Sequence, residues 1–233
     1  MRPSLVCLLL ALSLTAGCGN GGLLQPTELS AIRVTNAAPD APPVNILFRG
    51  GEITHSLAYG FGRPYVYLAS GSAPIDVENN VGDILLDYPV TLAGGGAYTF
   101  AITGSVSALQ PVFLTDDTTA APKGSFKVRV VHLAPLGPAM DLYVTAAGAD
   151  LTTATPVATG IGYTKASAYV TAAPGSVQLR LTQTGTTTVL RDVGTFTLSS
   201  GQGVTLLLYG NAGAGGGGAP YTSQLVADHV GTN

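Results

Sequence analysis

The stretch RVTNAAPDAPPVNILF, Arg33 to Phe48, is written a second time as RVVHLAPLGPAMDLYV, Arg129 to Val144. At this offset of 96 residues, Arg33 meets Arg129, Ala38-Pro39 meets Ala134-Pro135, and Pro42 meets Pro138. Asn45 meets Asp141, and Ile46 meets Leu142. Small insertions carry the match onward. Tyr59 and Tyr65 meet Tyr163 and Tyr169, Gly71-Ser72 meets Gly175-Ser176, and Leu92, Gly95 and Thr99 meet Leu198, Gly201 and Thr205. FLTDD, from Phe113, meets LVADH, from Leu225. A period of about 100 residues is too long for a solenoid repeat and reads as a duplicated domain.

Each copy parses into about seven short strands. SVQLRLT (Ser176–Thr182) alternates apolar with polar, as a strand with one wet face does, whereas VTLLLYG (Val204–Gly210) is apolar almost throughout and reads as a central strand buried on both sides. Gly (31) and Pro (15) are abundant, which suits short strands joined by turns. No long window beyond the N-terminus carries apolar residues at helical spacing. The expected fold is all-β: two tandem immunoglobulin-like β-sandwiches, at residues 30–120 and 122–230. Pro39, Pro42 and Pro43 cannot donate to a ladder and belong between strands. Arg33 and Arg129, between apolar neighbours, are expected on the solvent face.

The chain opens MRPSLVCLLLALSLTAGCGNGG. Arg2 precedes an apolar run, Leu5 to Leu14, too short for the roughly 20 residues of a membrane span and suited to a secretory signal. Leu14-Thr15-Ala16-Gly17-Cys18 resembles the bacterial lipobox, with Thr15 where Leu is usual. That resemblance implies a signal peptide over residues 1–17, a diacylglycerol on the Cys18 sulfur, and a tether over 18–29. Cys7 lies in the discarded signal, so the mature chain keeps no free thiol and no disulfide. Gly19 rather than Asp after the cysteine implies, by the enterobacterial sorting rule, an outer-membrane destination.

The opening phrases are similar to those of the DUF4397 family, secreted bacterial domains. VVHLAP starts at Val130, NAAPDAP starts at Asn36, and the LAGGGAYTF and LTDD stretches match as well. The family's usual histidine is Asn36 in one copy and His132 in the other, and its usual aspartate is Asp40 in one and Leu136 in the other. The resemblance implies secretion and a β-sandwich, and no activity.

Chemistry-bearing patterns are sparse. GAGGGG (Gly213–Gly218) has the letters of a dinucleotide loop, but a strand-like segment follows where a helix is needed, so a hairpin loop is expected. Asp76 and Glu78 share one strand face, yet two carboxylates fall short of calcium's six to eight oxygens. Asp76, Glu78, Asp83, Asp87 and Asp116-Asp117 read as solvated strand faces and turn acids. His55, His132 and His229 have no metal-ligand spacing, and His132 is expected to make a local hydrogen bond. No G-x-S-x-G occurs. Tyr59, Phe61, Arg63, Tyr65 and Tyr67 offer a ligand or partner surface, or else pack their rings inward with hydroxyls at the rim.

Net charge is −3, and nothing basic enough for nucleic acid is present. The expectation is a non-enzymatic, cofactor-free cell-envelope protein, held to the membrane through Cys18. It displays tandem modules in a structural, adhesive or interaction role, with an envelope protein or glycan as partner. The alternative is a carbohydrate- or peptide-binding accessory lipoprotein.

Overall fold

Side chains alternate across a strand, so one continuously buried strand must be covered on both faces. The first strand, β1 (Leu29–Asn36), meets that description from Ile32 onward. A computed structural model, which describes residues 28–210 and 221–230, shows what covers each face. The expected signal peptide over 1–17, Cys18, and the GAGGGG stretch expected to form a hairpin loop lie outside the described residues.

Seven further strands complete the first unit: β2 (Val44–Phe48), β3 (Gly51–Leu57), β4 (Val66–Ala69), β5 (Gly71–Glu78), β6 (Ile84–Leu92), β7 (Ala97–Ser105) and β8 (Ala108–Thr115). They form two four-stranded sheets, β4-β1-β7-β8 and β3-β2-β5-β6. The second unit repeats the plan with β9 (Phe126–Leu133), β10 (Met140–Thr145), β11 (Ala158–Ile161), β12 (Val170–Ala172), β13 (Gly175–Gln183), β14 (Val189–Leu198), β15 (Gly203–Gly210) and β16 (Tyr221–His229). Its sheets are β12-β9-β15-β16 and β11-β10-β13-β14, the same order strand for strand.

Both units are β-sandwiches, as the strands and turns predict. Within them the first strand lies between the fourth and the seventh and runs parallel to the seventh, β1 to β7 and β9 to β15. A constant-type immunoglobulin domain instead pairs its first strand with its second. Each unit has eight strands where seven are expected. The additions are β3 and β11, which pair antiparallel to β2 and β10. GEITHSL and ATGI carry too few apolar residues to stand out, and the neighbouring strand supplies their pairing. The three prolines fall between β1 and β2, as expected.

Each sandwich has its own core. Ile32, Val34, Ile46, Ile75 and Phe100 fill the first, and Val128, Val130, Leu142, Leu181 and Leu206 fill the second. A third apolar cluster, with Ala101, Val112, Val131, Leu133, Leu207 and Tyr209, joins the two units. The sheets containing β1 and β9 therefore pack on each other, giving four layers. β15 is buried at every residue, as its composition predicts, and its second face is covered by the other unit.

On two sets of strands the solvent-face expectation is overturned. Arg33 and Arg129 are only 2% and 4% exposed, because the face that an isolated sandwich would show to water is the face between the units. On β13 the polar face is also covered at Arg180 and Thr182. Arg180 donates from Nη2 to the Ala149 carbonyl (2.7 Å) and to Thr145 Oγ1 (2.8 Å), in and beside the loop at 146–157, and Thr182 is fully buried.

Candidate functional site

The polar residues that recur in both copies converge where the units meet. Arg33 and Arg129 project from β1 and β9, Thr99 and Thr205 from the adjacent β7 and β15. Tyr65 and Tyr169 stand just before or near β4 and β12. Asp116 directly follows β8, and Asp228 is the penultimate residue of β16.

Each unit builds half of a reciprocal joint. In the first, Asp116 Oδ2 accepts from Thr99 Oγ1 (2.6 Å) and from the Tyr65 hydroxyl (2.5 Å). Its Oδ1 accepts from Arg129 Nη2 of the second unit. In the second, Asp228 Oδ2 accepts from Thr205 Oγ1 (2.7 Å) and from the Tyr169 hydroxyl (3.0 Å). Its Oδ1 accepts from Arg33 Nη2 of the first unit (2.6 Å).

The arginines match as well. Arg33 Nε donates to Thr99 and Arg129 Nε to Thr205, at 2.7 and 2.9 Å. Each Nη1 reaches a carbonyl across the seam, Ala227 or Thr115, at 3.2 Å. Each guanidinium lies over its own unit's tyrosine, 4.8 Å from the Tyr65 centroid and 4.7 Å from that of Tyr169.

The side chains of both ion pairs are almost wholly buried. Unpaired, such charges would cost several kcal/mol each; here two cations face two anions, and all four carboxylate oxygens have donors. Burial works against the charge of Arg33, but Asp228 and then Asp116 outweigh it and hold the guanidinium more firmly protonated than usual. Burial raises both the Tyr65 and the Tyr169 hydroxyls, so both stay neutral donors. No carboxylate oxygen is left aimed at open space, and the arrangement's chemistry is charge-paired cohesion.

Around the joint, Thr35 Oγ1 and the Tyr209 hydroxyl are 2.9 Å apart, Gln224 Oε1 accepts from the Gly62 amide (3.0 Å), and Thr103 Oγ1 donates to the Leu133 carbonyl (2.7 Å). Burial pushes the Tyr209 hydroxyl up to about 12.

The five residues of the aromatic and arginine cluster separate. Tyr65 belongs to the joint, and Tyr59 packs edge-on against Tyr209 of the other unit at 6.3 Å. Phe61 and Tyr67 are exposed, at 63% and 71%. Arg63 is exposed and donates from Nε to Thr54 Oγ1 (3.2 Å). Two pockets flank Tyr65. One, of about 270 Å³, runs between Arg63 and Pro64 on one unit and Gln224 and Val226 on the other. The second, of about 330 Å³, reaches from Ala31 and Tyr67 to Asp228 and His229.

His132 makes the local hydrogen bonds expected of it. Nδ1 accepts from the Ala134 amide (3.3 Å), and Nε2 faces the Pro138 carbonyl (3.0 Å). Asp76 faces Asp87 across β5 and β6, and its carboxyl is raised by burial and then by Asp87. Among the described residues no three His, Cys, Asp or Glu side chains come together to hold a metal.

Asp116, expected among the solvated acids, is instead buried, because the second unit covers it and brings Arg129 to it; Asp228, Thr99 and Thr205 carried no expectation of a shared site. The signal that could have found them is in the alignment of the copies: arginine, tyrosine, threonine and aspartate all persist where apolar residues drift.

The class so defined is a protein of two like β-sandwiches joined face to face through a buried, reciprocal ion-pair layer. Residues 30–143 match the model of DUF4397, a domain of unknown function. The match takes in the whole first unit except Leu29, runs through β9 into β10, and includes Arg33, Asp116 and Arg129. Among solved structures, the chain is similar to a leucine-rich repeat protein from Bacteroides thetaiotaomicron VPI-5482 at 13% identity and a TM-score of 0.20. That alignment covers 76% of this chain, which spans 25% of the other protein's length. No curated protein matches the chain.

Proposed function

We propose that this is a lipid-anchored cell-envelope protein that displays two joined sandwiches as one non-enzymatic module for structural, adhesive or interaction work. In this reading the second unit is a further copy of the DUF4397 domain, supported by the matched strand order and the matched half of the joint. The observation that carries the reading is Leu14-Thr15-Ala16-Gly17-Cys18, placed directly after a short apolar run. Two acyl chains on one cysteine suffice for stable anchoring, since each buried methylene contributes about 0.8 kcal/mol. Among the described residues no helix is long and apolar enough to cross a membrane. The interlocked units support a display role, because loops on a rigid scaffold make defined contact surfaces.

The test compares wild type with Cys18→Ser by detergent partitioning and intact mass. Wild type should enter the detergent phase with a diacylglyceryl modification on an N-terminal Cys18. Cys18→Ser should lose the lipid and remain as precursor or as a soluble product, while Cys7→Ser should behave as wild type. Wild-type protein in the aqueous phase, with an unmodified N-terminus beyond Cys18, would refute the anchor.

A further inference from the structure

The duplication makes each half of the molecule a control for the other, and at one place the halves differ. In the second unit Lys127 on β9 sits opposite Gly203 on β15 and Thr171 on β12. Its side chain lies along Gly203 so closely that a Cβ there would come within 2.9 Å of Lys127 Cε. The ammonium ends 5.0 Å from the centroid of the Tyr169 ring, 2.5 Å from Asp117 Oδ2 and 3.3 Å from Thr119 Oγ1. The bond from Lys127 holds the Asp117 carboxyl down at about 2.

In the first unit the matching position on β1 is Ala31, opposite Ala97 on β7 and Tyr67 on β4. Tyr65 matches Tyr169. Among the described residues no side chain fills the space, and a pocket of about 330 Å³ is lined by Ala31, Tyr65, Tyr67, Ala97, Asp228 and His229. His229 stands where Asp117 stands in the other half. Gly95, Gly96 and Thr118 complete the pocket wall. Leu29 and Val230, both exposed, give the mouth an apolar lip.

We infer that this pocket is a binding site for a primary ammonium group on a short alkyl stem, which takes the place that Lys127 occupies in the second unit. The stem lies between the apolar lip and Ala31. The ammonium meets the Tyr65 ring, as Lys127 meets the Tyr169 ring. A cation over an aromatic face is attracted by the ring quadrupole, and the attraction grows as water is excluded. A lysine side chain of another protein and a free alkylamine share this chemistry.

The purified protein is titrated with n-butylammonium, with Nα-acetyl-lysine methylamide and with n-butanol, following the backbone amide resonances of Ala31, Gly95 and Gly96. Butylammonium should give saturable shifts at all three, with butanol about tenfold weaker or worse, the worth of a partly desolvated cation–π contact. Saturable shifts from the lysine derivative as well identify a protein side chain as an occupant; shifts from butylammonium alone identify a free amine. The double variant A31K/A97G, which rebuilds the second unit's pairing of lysine over glycine, should fold and lose the response. The inference falls if butylammonium gives no saturable shift, if butanol binds equally well, or if folded A31K/A97G still responds. Should A31K/A97G not fold, the contrast between amine and alcohol on wild type decides alone.

Discussion

Asn36 and His132 occupy matching positions and perform the same task with different chemistry. Asn36 Oδ1 accepts from the amide two residues on (3.0 Å), while Nδ2 donates to the Leu57 carbonyl (3.1 Å). His132 uses Nδ1 as the acceptor and Nε2 as the donor, which requires the neutral Nε2–H tautomer. Burial lowers the imidazole below the usual histidine value of 6.5, against the opposing pull of the Pro138 carbonyl. The unfolded chain therefore takes up this proton first. The associated stability is complete above about pH 6.5 and is lost as the pH falls toward the lower folded-state value. Urea melts at about pH 7.5 and about pH 5.5 should show that loss in wild type. In His132→Asn the loss should shrink, because the asparagine of the other copy does the work without titrating. An undiminished pH dependence in the variant would place its origin elsewhere. The ring also packs on Gly137, where a Cβ would come within 2.8 Å of it, so Gly137→Ala should destabilise.

At the scale of elements, β1 and β9 each serve two cores. Ile32 and Val34 face their own sandwich while Arg33 and Thr35 face the other unit. The arginine is tolerated there only because β16 brings Asp228 to it. Removing one partner of a buried pair costs about 3–5 kcal/mol, because the other is left charged and unsatisfied, whereas an apolar pair of similar volume is often neutral. Asp228→Ala should accordingly lower unfolding stability by an amount in that range. Arg33→Met combined with Asp228→Leu should recover much of it, less the bonds to Thr99, Thr205 and Tyr169. Equal losses in the single and the double variant would mean that the pair itself contributes little. The strand pattern of these elements is legible in their alternation. β3 and β11 are not, since their pairing with β2 and β10 rather than their own composition makes them strands.

For the whole molecule, the apolar cluster and the two crossed ion pairs tie the sandwiches into one cooperative body. Calorimetry should give a single transition with equal calorimetric and van't Hoff enthalpies. Arg33→Ala combined with Arg129→Ala should resolve two transitions, since each sandwich keeps its own core while the joint loses both cations. Two resolved transitions in wild type would show that the units melt independently despite their contact.

Sequence alone determined the duplication, the all-β class, the turn positions of the prolines and the central burial of VTLLLYG, because alternation, proline geometry and self-similarity are local properties of the chain. Tertiary structure decided which way the arginines face. A charged residue between apolar neighbours on a strand reads as solvent-exposed unless something distant covers it, and here the cover is the other unit, with Asp228 lying 195 residues from Arg33. It likewise decided that Tyr65 belongs inside the joint while Tyr67, two residues on, stands in water. Pairing across such separations leaves no periodicity along the chain. The buried charges become favourable only when the reciprocal halves close on each other and exchange water for one another's donors.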